Sequence, residues 1–392
     1  MGRKVAFVID KFDPERGGAE GYARDLCRGL ADRGFNVHVL ARAGRTDDGR
    51  IDIHIIPTAK YPKFLRLYTF VRGVEREIKR GGYDIVHGIG HNTGVNVLNP
   101  HSGVEQSWIE GDDNSRESGI GRLFAGIKRL LSPRHHLILY LQRRQYRDRG
   151  VKAIIAIAEM VKRDIIEYHN VDENKIEVVY NGVDTKRFST KKRGLYRKKE
   201  RKRLGIGEDE ILILLVSNNF RLKGILPAVE LLPVLRERTG GGRGKFRLMI
   251  VGRDNPRRYV RAARRLGVED LVRFVDYVPD PVPLYAAADI YFHPTFYDSC
   301  SLTVIEALAS GLPVVTTEKN GAAGLIESRE TGWVIGDPRD KEEVAQALLY
   351  YLDDGVRKRA HRAAELFGER LSLETNIDRV VQIYDRVISL SE

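Results

Sequence analysis

Along nearly the whole chain, short runs of aliphatic and β-branched residues alternate with longer stretches of helical periodicity, in two separate series. That alternation is the pattern of parallel α/β sheets, in which each strand is followed by a helical crossover. The first series of predicted strands is KVAFVID (4–10), NVHVLAR (36–42), DIHIIP (52–57), DIVHGI (84–89), AIIAIA (153–158) and KIEVVY (175–180). Between the first two, a helix over about 18–33 is expected from Ala19, Tyr22, Ala23, Leu26 and Leu30, which recur at helical spacing. A second series follows residue 205: ILILLVS (211–217), FRLMIVG (246–252), VRFVDYV (272–278), DIYFHP (289–294) and PVVTTE (313–318). GILPAVELLPVLRER and VPLYAAAD are helices between them. With 392 residues, two domains are the natural expectation. The fold class is α/β: two Rossmann-like domains facing each other, with ligands in the cleft between them at the carboxyl ends of the strands.

Composition narrows the partners. A net charge of +12 points to an anionic one: nucleic acid, membrane surface or phosphorylated substrate. Nucleic acid is set aside, because no binding signature is present and the aromatics are not interleaved with the basic runs. Cys27 and Cys300 can form no disulfide framework and have no metal-ligand spacing, which fits a reducing cytoplasm. MGRKVAFVIDKF reads as a buried first strand rather than a signal peptide, and no apolar run reaches the roughly 18 residues that span a bilayer. Residues 186–206, with Glu200 as their one acid, read as a solvated linker and surface helix that marks the domain boundary. Residues 122–150 are amphipathic, with one acid (Asp148) against eight Lys and Arg. Such a segment either lies at an anionic membrane surface or packs on the first domain.

Three stretches carry candidate chemistry. In PTFYDSCSLTVIEALASGLPVV (294–315), Asp298 and Glu306 stand eight positions apart around a run too small and apolar for a surface helix. A helix beginning near Ser301 or Leu302 would aim the amides of Ser299, Cys300, Ser301 and Leu302 at an anion such as a pyrophosphate. One carboxylate would then take sugar hydroxyls and the other a ribose diol. The bland alternative makes Asp298 a cap and Glu306 a satisfied core acid. In DPERGGAEGYA, Gly17 and Gly18 let the backbone approach a ligand just before a helix N-terminus, or else form a tight turn. In SNNFRLKG, Arg221 and Lys223 sit at a helix start, a poor place for two cations unless an anion binds there. VLNPHSGVEQSW adds His101 after a strand and a proline, and DIVHG adds His87, expected to pack near its strand end.

YDSCSLTVIEALASGLPVV resembles the glutamate–seven–glutamate motif of the retaining glycosyltransferases of family 4, which have the GT-B fold; Asp298 stands where that family usually has Glu. GGAEGYARDLCRGLADRGFNVHVLAR resembles the family's glycine loop and first helix, NKIEVVYNGVDTKRF its interdomain segment, and FRLKG its basic donor loop. VGRDNPRRYVRAARRLGVEDLVRFVDYV is similar to the branch that adds glucose to the inner core of lipopolysaccharide. The resemblance implies a donor domain over 184–371 and an acceptor-side domain over 1–183, onto which a last helix at about 372–392 packs back. It implies a hexosyltransferase that moves glucose from a nucleotide-diphosphate sugar, UDP-glucose first, to a glycan or lipid-linked acceptor on the inner face of the membrane. No cofactor and no metal are expected: Arg221, Lys223 and helix amides would meet the diphosphate. His101, Lys223 and Asp298 are assigned to catalysis, His101 beside the sugar's C6 hydroxyl. Gly17 and Gly18, Lys186 (with Arg187) near the diphosphate, Gly252 and Arg253 near the base, Ser299–Leu302 and Glu306 are assigned to substrate. The other readings of such a chain are a GT-B nucleotide-sugar epimerase or phosphorylase, or a basic binding protein without chemistry.

Overall fold

The computed structural model describes residues 2–13, 18–240 and 246–390. The chain forms two compact units. The first comprises Met1–Asp113, Glu117–Gly182 and Leu373–Glu392; the second comprises Asn114–Arg116 and Val183–Ser372.

The first unit is built on seven strands: β1 (Lys4–Phe12), β2 (Asn36–Gly44), β3 (Ile51–Ile55), β4 (Ile85–Ile89), β5 (Val97–Asn99), β6 (Ala153–Ala156) and β7 (Ile176–Val178). Their order is β3-β2-β1-β4-β5-β6-β7, and every pairing is parallel. A parallel sheet covered on both faces needs apolar residues on both sides of its strands. β1 supplies them with Val5, Ala6, Phe7 and Val8 fully buried. Leu26 and Leu30 of the helix Ala19–Asp32 pack into the same core as Ile377, Ile383 and Tyr384 of the last helix, Leu373–Ser389. Tyr22 donates its hydroxyl to Asn376 Oδ1 at 3.1 Å between these two helices.

The second unit repeats the scheme with six parallel strands: β8 (Ile211–Val216), β9 (Phe246–Val251), β10 (Val272–Val275), β11 (Ile290–His293), β12 (Val314–Thr317) and β13 (Gly332–Ile335), in the order β10-β9-β8-β11-β12-β13. The strand order reverses between β1 and β4 in one unit and between β8 and β11 in the other. These are topological switch points, where the loops leaving adjacent strands diverge and open a crevice at the carboxyl ends.

Two expectations need correction. The basic run 186–206 is not merely solvated. It forms the helix Thr190–Leu204, in which Arg193, Arg197 and Arg201 share one face and converge on Asp289, whose side chain is only 6% exposed. Arg197 Nη2 reaches Asp289 Oδ1 at 2.6 Å, and Arg201 Nη1 reaches Oδ2 at 2.9 Å. The same arginines take up the carbonyls of Ala286, Ala287 and Ala288, where the helix Val282–Ala287 ends without its own partners. Composition could not show this, because the acid lies about ninety residues downstream.

The stretch 122–150 is two helices, Gly119–Leu130 and Pro133–Arg147, broken at Ser132, which caps the second. Ile138 and Leu141 of the second are buried, and Arg144 pairs with Glu75 at 2.9 Å, so that helix belongs to the core of the first unit. The first buries only Ala125 and leaves Ile120, Leu123, Phe124, Ile127, Leu130 and the adjoining Leu131 between 44% and 73% exposed. β13 was not foreseen either, since GWVI is four residues long with no alternation.

Asp289→Asn strands one buried and two half-buried guanidinium groups around a neutral amide. We expect a loss of about 3–5 kcal/mol from the second unit, read as a lower denaturation midpoint with native circular dichroism retained at 25 °C. An unchanged midpoint would show that water, not Asp289, neutralises the arginines.

Candidate active site

Lys223 follows β8 and Asp298 follows β11, so the two side chains flank the switch point of the second unit. They meet there: Lys223 Nζ lies 2.6 Å from Asp298 Oδ2 and donates to the Tyr297 carbonyl at 3.0 Å. The loops that carry them are tied together. The Phe296 amide donates to Leu222 O at 2.8 Å and Thr295 Oγ1 donates to the same carbonyl at 3.2 Å, while the Phe220 amide ties the Lys223 loop to the one after β9 by donating to Asp254 Oδ2 at 2.8 Å. Asp298 is pinned through its own backbone as well, its amide donating to Lys319 O and its carbonyl accepting from the Gly321 amide. Burial raises the pKa of this carboxyl, but Lys223 and His293 outweigh that and hold it well below the usual carboxylate range.

Glu306 sits in the second turn of the helix Leu302–Ala309. The hydroxyl of Tyr285, a fully buried ring, donates to Glu306 Oε2 at 2.8 Å. Burial pushes this carboxyl up to about 7, with the Tyr285 hydrogen bond and the Arg187 charge pulling the other way. Two acids of one short segment are thus driven in opposite directions by their surroundings, Asp298 toward the charged form and Glu306 toward the neutral one. The expected row of open amides is shorter than foreseen. The Ser301 amide donates to Asn320 Oδ1 at 3.2 Å, and Ser301 Oγ pairs with Thr303 Oγ1 at 2.9 Å. Cys300 is buried and Ser299 half-buried in the preceding turn, and Leu302 opens the helix itself.

Around this centre, Arg221 occupies the turn before the helix Ile225–Arg238 and donates to Ser115 Oγ, within the segment Asn114–Arg116 that folds with the second unit. Gly252 follows β9. A Cβ there would lie 1.7 Å from Ser217 O, so its glycine is demanded by backbone packing against the turn after β8. The Arg253 guanidinium carbon sits over the Tyr277 ring, 3.7 Å from its centroid, while the Arg253 amide donates to Asn218 Oδ1 at 3.2 Å. Lys186 and Arg187 are exposed in the turn closed by Asp184, and Arg187 pairs with Asp280 at 2.9 Å. Three side chains here were not singled out from sequence: His293, Tyr285 and Tyr277. The signals available were the histidine that ends DIYFHP and the lone aromatics of VPLYAAAD and VDYVP.

The first unit holds the remaining candidates. Gly18 caps the helix Ala19–Asp32 at φ 67°, in the left-handed region that favours glycine, and lies after β1 at that unit's switch point. Gly17 lies outside the described residues. His101 follows β5, is buried, and stacks on Tyr22 with ring centroids 4.9 Å apart. His87 on β4 is part of the core: it stacks on Phe7, meets the Tyr384 hydroxyl at 2.7 Å, and is pushed by burial down to about 3.

Two parallel-sheet units, each with a switch point at the carboxyl ends of its strands, are the architecture of the GT-B glycosyltransferases, and the Lys223–Asp298 pair lies at the second of those points. The chain belongs to these enzymes: residues 16–187 match the model described as Glycosyltransferase Family 4, and residues 196–367 the one described as Glycosyl transferases group 1. Its relatives include the lipopolysaccharide glucosyltransferase WaaG of Escherichia coli (strain K12), 25% identical over 349 residues and 88% of each chain. The crystal structure of WaaG, described as a glycosyltransferase involved in lipopolysaccharide biosynthesis, superposes with a TM-score of 0.80 at 23% identity, over 97% of this chain and 99% of that one. The Anabaena protein HepE, solved in complex with UDP and glucose, shares the fold with a TM-score of 0.73 at 18% identity, over 98% of this chain and 100% of that one.

Glu306 yields a pH-dependent prediction. A carboxyl whose folded-state pKa is raised stabilises fully below its ordinary value of 4.5, and that contribution is lost as pH rises through about 7. Glu306→Gln keeps the shape and removes the charge. We expect its Tm to match that of the unmodified protein near pH 4.5 and to exceed it by about 2–6 °C at pH 8. A difference that does not change with pH would show that the carboxyl is not held in a desolvated environment.

Proposed function

We propose that this glycosyltransferase moves a hexose, glucose first, from a uridine diphosphate sugar to a glycan or lipid-linked acceptor with retention of anomeric configuration, in lipopolysaccharide core or other cell-surface polysaccharide synthesis. The observation that carries the reading is the Lys223–Asp298 pair across the β8/β11 switch point. In this reading Lys223 and Arg221 meet the diphosphate and stabilise the charge that develops on it as the glycosidic bond breaks. The amides that open the helix Leu302–Ala309 add their partial positive charge. Asp298 accepts from a sugar hydroxyl and Glu306 from the ribose diol, while the Arg253–Tyr277 stack offers a flat face for the base. In this reading Asp298, with Lys223 and His293 on its Oδ2, serves as a hydrogen-bond acceptor and not as a nucleophile. The acceptor hydroxyl then attacks from the leaving-group side and passes its proton to the departing phosphate. The glucosyltransferase activity of WaaG favours glucose, and HepE with UDP and glucose favours that nucleotide.

The test is turnover of a panel of nucleotide sugars, with and without glycan acceptors. UDP-glucose should be consumed fastest, and Lys223→Ala should lower kcat about 10²–10³-fold. Turnover by that variant at the native rate would remove Lys223 from the mechanism. Glu306→Gln should weaken UDP binding in calorimetry while raising stability at pH 8, a combination that a purely structural acid would not produce.

The second part of the proposal is peripheral attachment to an anionic membrane. No described helix is long and apolar enough to cross a bilayer. The exposed apolar face of Gly119–Leu130, flanked by exposed Arg122, Lys128, Arg134 and Arg143, has the composition of an interfacial helix. We expect co-sedimentation with phosphatidylglycerol vesicles at low salt, lost when about 1 M salt shortens the screening length to about 3 Å and lost in Phe124→Glu/Leu131→Glu. Equal binding to phosphatidylcholine vesicles, or none to anionic ones, would refute attachment by this helix.

A further inference from the structure

The geometry points to His293 as the residue that positions Asp298 for contact with the transferred sugar. The inference rests on the reading of Asp298 as the sugar-contacting acid. His293 ends β11 with its ring buried and stacked parallel to Tyr291, centroids 6.2 Å apart. Its Nε2 lies 3.1 Å from Asp298 Oδ2, the oxygen that also contacts Lys223. A carboxylate only accepts, so Nε2 carries the proton of that bond. Nδ1 is buried with no hydrogen-bond partner, and a doubly protonated ring would leave a charged donor unsatisfied there. The ring is therefore the neutral Nε2–H tautomer. Burial, acting in the same direction as Lys223, lowers the pKa of His293 and agrees with this.

The two partners of Oδ2 are not equivalent. Lys223 is a point charge on a flexible four-carbon stem and, in the proposed function, has a second task in meeting the diphosphate. When its ammonium turns to phosphate, its hold on Asp298 is shared or lost. His293 has no such freedom, because its ring is fixed inside the strand. The backbone of Asp298 is already pinned to Lys319 and Gly321, so only its side-chain torsions remain, and the imidazole sets them with or without Lys223. The other oxygen, Oδ1, is then presented in one orientation. His293 is thus a positioning residue and touches no substrate.

The test uses the full-length enzyme and three variants. Glutamine places a donor near the position of Nε2, asparagine places its amide only near Nδ1, and leucine fills the space without a donor. We expect His293→Asn and His293→Leu to lower kcat for sugar transfer from UDP-glucose about 10–100-fold, the scale for losing a group that orients a substrate-contacting ligand. His293→Gln should stay within about threefold of the parent. UDP has no sugar for Asp298 to contact, so its Kd should change less than about twofold in all three. A leucine variant with native kcat would overturn the inference, and so would a glutamine variant as slow as the leucine one. Loss of UDP affinity in parallel with kcat would mean that His293 merely supports the fold. If the leucine variant does not fold, the Gln/Asn pair decides. Asp298→Asn, assayed alongside, separates the two levels: native transfer there removes Asp298 itself from the mechanism, whereas impaired transfer with an intact leucine variant removes only His293.

Discussion

A carboxylate taken out of water must find a cation or a set of donors, and the central strand of the second unit answers that requirement at both ends. Asp289 precedes β11 and Asp298 follows it. At the amino end, three arginines from one helix surround Asp289, which in turn accepts the Leu212 amide at the start of β8 at 2.9 Å. At the carboxyl end, Lys223 and His293 surround Asp298. The first cluster fixes strand to strand and helix to strand. The second, about four residues of strand away, stands over a crevice. β11 thus carries a rigid charge anchor on one side and a chemically useful charge on the other, and the precision of the second depends on the rigidity of the first.

The strand order decides where that useful charge lies. Because the chain winds from β8 outward to β10 and returns at β11, the loops after β8 and β11 part above neighbouring strands. They do not part freely. Leu222 O holds the amide of Phe296 and the hydroxyl of Thr295, and Tyr291 donates its hydroxyl to Val216 O at 3.2 Å. The crevice is therefore built from two loops bonded across its floor. A lysine from one wall and an aspartate from the other meet without either loop being mobile for that purpose.

Much of this was legible beforehand because it depends on local chemistry. Eleven strands announced themselves as aliphatic runs, and Lys223, Asp298 and Glu306 stood out as charges where their neighbours made charge costly. What escaped was non-local. Arg193, Arg197 and Arg201 look like solvated surface until Asp289 is folded against them. Leu137, Ile138 and Leu141 share the amphipathic pattern of Leu123, Phe124 and Ile127, yet Ile138 and Leu141 are core and the latter three are surface, because periodicity marks an apolar face and not what covers it. The Ser301 amide looked open until Asn320, nineteen residues on, turned out to fill it. Tyr285 escaped for the same reason, since the acid it acts on lies in a helix about twenty residues downstream, whereas His293 stands only five residues before Asp298 and was passed over as one more residue of an apolar strand.

The opposite treatment of the two acids suggests how such a site distinguishes the parts of a nucleotide sugar. Asp298 is held charged by partners that are present before any ligand arrives, so in the proposed reading it accepts a hydrogen bond from a sugar hydroxyl without changing state. Glu306 is held near 7 in a desolvated setting with one tyrosine donor, so near neutrality a part of it is protonated. A diol that offers two donors favours the carboxylate, and its binding would draw Glu306 toward ionisation with release of a proton. The cost of keeping Glu306 half-satisfied falls on the unliganded protein, and in the proposed reading a bound ribose would relieve it, which is how a binding site gains by leaving a local rule unmet. Asp298 is preorganised and Glu306 is held in reserve. That division follows from the number of donors each finds in its own fold, two for the aspartate and one for the glutamate.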